Sequence, residues 1–115
     1  MEEKTIKELA VELTVEVTEL CDLIKAKSVF TNQLLRSSSS IGANAHEAKY
    51  AHSRADFISK LEISLKECYE TEYWLELFSK AELIDQSIFK SLFDHCGTIR
   101  RILIASVNTA RENIK

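Results

Sequence analysis

The chain contains no proline and only two glycines, Gly42 and Gly97, among its 115 residues. That shortage excludes turn-rich β architectures and Pro/Gly-rich linkers, which need residues that fix or free the backbone. Its three cysteines, Cys21, Cys68 and Cys96, are far apart and include no C-x-x-C pair. They read as reduced core thiols of a cytoplasmic protein, not as a disulfide framework. The opening "MEEKTIKEL" is acidic and lacks the apolar run of a signal peptide, and no stretch approaches membrane-spanning length. No membrane partner is expected. Also missing are a P-loop, a G-x-S-x-G elbow and the Arg–His spacing of helical ribonuclease toxins.

What is abundant is Leu, Ile, Glu, Lys and Ala, with 45% hydrophobic residues overall. That is the composition of long helices around one core, so the expected fold is all-α, a single domain over residues 1–115. Four periodic segments follow. Thr5 and Glu8 form a capping box, and Ile6, Leu9, Ala10, Leu13, Val17, Leu20, Cys21 and Ile24 then share one helical face, ending near Lys25–Lys27. With Ser28 as N-cap, Phe30, Leu34, Ser37, Ile41, Ala45 and Ala48 continue at spacings of three and four straight through the block "RSSSSIGA". A linker has no reason to keep that register, so the second helix is placed over 29–50 despite the poor propensity of Ser and Gly.

Ser53 and Asp56 start a third helix that runs to about Lys80, its core face formed by Phe57, Ile58, Leu61, Leu65, Cys68 and Leu75. "AELID" breaks the pattern, and Asp85 caps a fourth helix that buries Ile88, Leu92, Cys96, Ile99, Leu103, Val107, Ala110 and Ile114. Short connections predict an antiparallel up-down-up-down four-helix bundle. Net charge over residues 1–27, 28–60, 61–85 and 86–115 is −3, +2, −5 and +3. Alternate signs fit antiparallel neighbours with matched surfaces, and an overall charge of −3 is not that of a dedicated nucleic-acid binder.

Two surfaces ask for a partner. Ile63, Tyr73, Trp74 and Leu77 form a second apolar set on the third helix, roughly opposite its core face, with a weaker counterpart in Val11 and Val15 on the first. Exposed aromatic belts mark subunit contacts, so self-association is expected through Ile63, Tyr73, Trp74 and Leu77. The second helix carries a polar stripe, Gln33, Arg36, Ser40, Asn44 and Glu47, that must find partners such as Ser64, Glu67 and Thr71.

Catalytic patterns are sparse. No histidine has a Glu three residues before it, as a di-metal bundle needs, and consecutive Asp94, His95 and Cys96 point to different faces. Glu67-x-x-Glu70 with Glu82-x-x-Asp85 resembles the carboxylate pairs of magnesium-dependent all-α nucleotide pyrophosphohydrolases, but Glu82 and Asp85 fall in a loop and an N-cap. No cofactor, metal or small-molecule substrate is expected.

"NQLLRSSSSIGANAHEA" and "FISKLEISLKECYETEYWLEL" together resemble the four-helix-bundle proteins encoded within 23S rRNA intervening sequences. The positions that carry the likeness are Gln33, Arg36, Ser40, Ile41, Asn44 and Glu47, then Phe57, Leu61, Ser64 and Glu67. The family's second arginine is Leu35 here, its proline is Gly42, and its Glu-Gly is Glu47-Ala48. The resemblance implies a homopentamer without enzymatic activity, related to the accessory variability protein of diversity-generating retroelements. That relative is a basic pentamer that binds nucleic acid and a reverse transcriptase. An alternative role is therefore RNA or DNA binding by the assembled ring through Arg36, Lys49, Arg54, Arg100, Arg101 and Arg111, weakened by the missing arginine.

Overall fold

In the computed structural model, which describes residues 4–113, four helices account for nearly all of the chain. They are α1 (Ile6–Leu23), α2 (Ser28–Ala48), α3 (Arg54–Lys80) and α4 (Gln86–Glu112). Local chemistry sets their ends. Thr5 Oγ1 accepts the Glu8 N–H, Ser53 Oγ accepts the Asp56 N–H, and Asp85 accepts the Ile88 N–H at 2.8 Å. That last bond, with help from Ser87, holds the Asp85 carboxyl below the usual carboxylate range. Ser28 does not cap α2 as expected. It is the first helical residue, because the Phe30 and Thr31 N–H groups both reach the Lys27 carbonyl and Lys27 takes the N-cap position.

The break between α3 and α4 is a Schellman turn. Glu82 N–H bonds Ser79 O and Leu83 N–H bonds Phe78 O, while Glu82 sits in the left-handed region at φ 59°. Glycine is the usual occupant, and a side-chain-bearing residue there costs on the order of 1 kcal/mol.

α1 packs on α2 and α4, α3 packs on α2 and α4, and neither diagonal pair meets. Contacts across the α2–α3 seam run Arg36 to Glu70, Ser37 to Thr71, Ile41 to Ser64 and Glu47 to Lys60, so the helices are antiparallel. The bundle measures 48 × 32 × 20 Å. The charge alternation becomes pairing between neighbours: Arg36 with Glu67 and Glu70, Arg100 with Glu72, and Arg111 with Glu62, while His95 Nδ1 stands 2.8 Å from Glu16 across the α1–α4 seam.

Leu13, Val17, Leu34, Ile41, Leu75, Phe78, Ile99 and Leu103 form the closed centre of the core. Phe78 and Ile84 were not expected there. Ile88 was expected inside but is 37% exposed, because α1 stops at Leu23 and leaves the first turn of α4 uncovered. Ile114 lies outside the described residues.

The serine block is helical throughout. Ser37 and Ser38 are fully buried, each hydroxyl folded back onto a carbonyl three residues earlier. On one side of α2, Thr71 Oγ1 bonds Ser37 Oγ at 2.9 Å and Ser64 Oγ donates to Ile41 O at 2.7 Å. On the other, Thr14 Oγ1 lies 3.2 Å from Ser38 O, and a Cβ on Gly42 would stand 3.1 Å from Ala10 Cβ. α2 is thin because it is wedged closely between α1 and α3. Ser37→Leu should therefore lower the urea midpoint by an amount equivalent to about 1–3 kcal/mol of overpacking. Asn32→Leu, five residues earlier and exposed, should be neutral or slightly stabilising. Circular dichroism at 222 nm separates the two; equal tolerance would mean that the packing is not as described.

Candidate assembly surface

Where α2 meets α3 on the outside of the bundle, the polar stripe and the apolar belt converge. Arg36 Nη1 donates to Glu67 at 2.8 Å, its Nη2 donates to Glu70, and its Nε reaches Gln33 Oε1 at 3.2 Å. Glu70 also accepts the Trp74 Nε1–H at 3.0 Å. This hydrogen bond and the Arg36 pairing outweigh its partial burial and lower the Glu70 pKa. In the rest of the stripe Asn44 Nδ2 donates to Ser40 O within α2, while across the seam Glu47 stands 4.0 Å from Lys60 and Ser64 is buried against α2.

The four belt residues part company. Tyr73 is 59% and Ile63 41% exposed. Trp74 and Leu77, expected to be open to water, are half-buried and packed on the core. Trp74 is held by Glu70 below, by Phe30 at 6.2 Å and by Tyr73 edge-on at 5.0 Å. A wheel drawn for one helix misses this, because α2 is thin enough for the flank of α3 to close over it. The Glu70–Trp74 bond went unforeseen in the sequence, although its i, i+4 spacing was a usable signal.

The six cations also divide. Arg36, Arg100 and Arg111 are committed to carboxylates, Arg100 in a seam where Glu72 is 8% exposed. Lys49, Arg54 and Arg101 have no ion pair among the described residues; Arg54 lies over the Phe57 ring and Arg101 reaches Thr98. Carboxylates are similarly engaged: Glu67 and Glu70 hold Arg36, and Asp85 is a cap. Among the described residues no three His, Cys, Asp or Glu side chains are grouped to hold a metal ion. Cys68 and Cys96 are sealed in the α3–α4 seam, where the neighbouring Cys68 thiol and burial push the Cys96 thiol far up.

Fold and surface together define an all-α four-helix bundle whose interhelical polar groups pair with one another and whose flanks leave large apolar side chains open. The chain belongs to the 23S rRNA-intervening sequence protein family, whose model matches residues 2–105. Among solved structures it is similar to a protein of unknown function from the S23 ribosomal protein family of Bacteroides thetaiotaomicron VPI-5482. The two are 40% identical, with a TM-score of 0.85, covering 90% of this chain and 98% of that one. No curated protein matches. Neither the family's description nor that of the neighbour names a catalytic activity, and among the described residues no helix is long and apolar enough to cross a membrane.

The Arg36–Glu70–Trp74 network has a pH signature. The ionised form of Glu70 is favoured by folding, so its contribution is complete above the ordinary carboxylate pKa of about 4.3 and fades as pH falls through the lower folded value. Fluorescence of Trp74, the sole tryptophan, should hold steady from neutral pH to about 4.3 and change only below it. Glu70→Gln should abolish that step, and an identical titration in the variant would remove Glu70 from the network.

Proposed function

We propose that this chain is a non-enzymatic assembly module that forms a homo-oligomer in the cytoplasm, a homopentamer on the family resemblance. One observation carries the reading: Tyr73 stands open to water on top of a side-chain network that is already satisfied within its own chain. A large aromatic held in place but left uncovered is the pattern of a subunit contact. Ile63, about 15 Å away along α3, is a second open apolar side chain, while Trp74 and Leu77 lie half-buried under the belt. The test is absolute mass by light scattering on a sizing column. The wild type should run at a multiple of 13.1 kDa, near five chains, and Tyr73→Glu should shift it to a folded monomer. A wild type that runs as a monomer removes the assembly reading.

Nucleic-acid binding by the assembled ring is the second reading. Lys49, Arg54 and Arg101 support it as cations with no carboxylate partner, and repetition around a ring multiplies weak contacts. Lys49→Ala with Arg54→Ala should weaken retention of a structured RNA on a filter and flatten its salt dependence. No retention by the wild type at low salt would sink it.

A further inference from the structure

On the other flank of α2, the crossing of α1 and α2 leaves a groove of about 480 Å³. Its floor is Ser39, Gly42 and Ala43, and its outer wall is Val11 and Val15, each 51% exposed. No side chain among the described residues fills it. Glu19 closes one end, and Glu8, one turn before Val11 on the same helical face, stands beyond the other. Both glutamates are exposed.

Tyr73 on α3 is flanked in a matching way. Lys66 lies seven residues before it and Lys80 seven after, two turns each way, so all three share one stripe. Both lysines are exposed. None of Glu8, Glu19, Lys66 and Lys80 has an ion pair among the described residues. α1 thus offers acid, two valines over a hollow, acid; α3 offers base, tyrosine, base, with the exposed carboxylate of Glu76 at the edge of the stripe one turn after Tyr73. At 1.5 Å per residue the two acids are about 16 Å apart and the two bases about 21 Å, a difference that lysine side chains span.

The geometry points to a head-to-tail contact in which Tyr73 of one copy enters the α1–α2 groove of a second copy of this chain, with Lys66 facing Glu8 and Lys80 facing Glu19. This rests on the assembly reading and supplies the missing half of its interface. α1 and α3 run in the same direction within one bundle, so copies rotated about an axis along the bundle keep that order of charges. Groove and ridge flank the same helix, α2, and therefore lie on neighbouring faces. Each successive copy turns, and the series closes on a small number of subunits; opposite faces would give an open filament.

Charge reversal tests the pairing without touching the core. Glu8→Lys with Glu19→Lys, and separately Lys66→Glu with Lys80→Glu, should each raise the chain concentration for half-assembly by about tenfold. Combining all four reversals should restore the wild-type value, since the ends then match again. If either pair of reversals leaves the mass unchanged at low salt, or the fourfold variant stays dissociated while the wild type assembles, the groove is not the acceptor and only this contact falls. A wild type of one chain overturns contact and assembly together.

Discussion

A methyl group added at Gly42 would come within 3.1 Å of Ala10 Cβ, and a few residues away buried hydroxyls join α2 to α3 at 2.7–2.9 Å. Both seams are closer than a Leu-filled interface permits, and both depend on side chains of at most two or three heavy atoms. The close approach of α2 to its neighbours is the condition on which the remaining packing rests. It leaves the large residues, Leu13, Leu34, Leu75, Phe78 and Leu103, to fill the centre, and it lets Trp74 of α3 lean across onto Phe30 of α2.

Polar groups buried in such seams have to be satisfied, and here they are. Serine and threonine hydroxyls bond carbonyls or one another, and the arginines of the seams find carboxylates on the next helix. His46 Nδ1 is the exception among the described residues, buried without a partner; nothing in its surroundings accounts for it. With the polar groups of the seams consumed internally, large apolar side chains stand open on the outside: Val11 and Val15 on α1, Ile63 and Tyr73 on α3, and Leu23, Val29, Tyr50, Tyr69 and Ile88 elsewhere.

Much of this was legible in the sequence. The register of Phe30, Leu34, Ser37, Ile41, Ala45 and Ala48 identified a helix where propensity alone reads a linker, because burial outweighs the few tenths of a kcal/mol lost per serine. Caps at Thr5, Ser53 and Asp85 were readable because each is a local three-residue interaction. α3 was harder: Ser64, Thr71 and Glu72 occupy core positions, so its apolar stripe is interrupted and its true flank is hidden. Trp74 and Leu77 were placed in water for that reason. Which arginines are neutralised depends on distances between helices that no single-helix pattern contains; Arg36 and Lys49 look equivalent until Glu67 and Glu70 are brought beside one of them.

The narrow seams also bear on how such a chain can change over generations. At Ser37 and Ser38 the space is filled by a hydroxymethyl, and at Gly42 even a methyl would press on Ala10 Cβ at 3.1 Å, so most single-base changes there bring in a side chain that crowds its neighbours. At Ser39 and Ala43, on the outside of the same helix, almost anything is accommodated by the fold. Mutational tolerance along α2 thus alternates with the helical period. The segment that looks most like filler is, on its inner side, the one with the fewest permitted replacements.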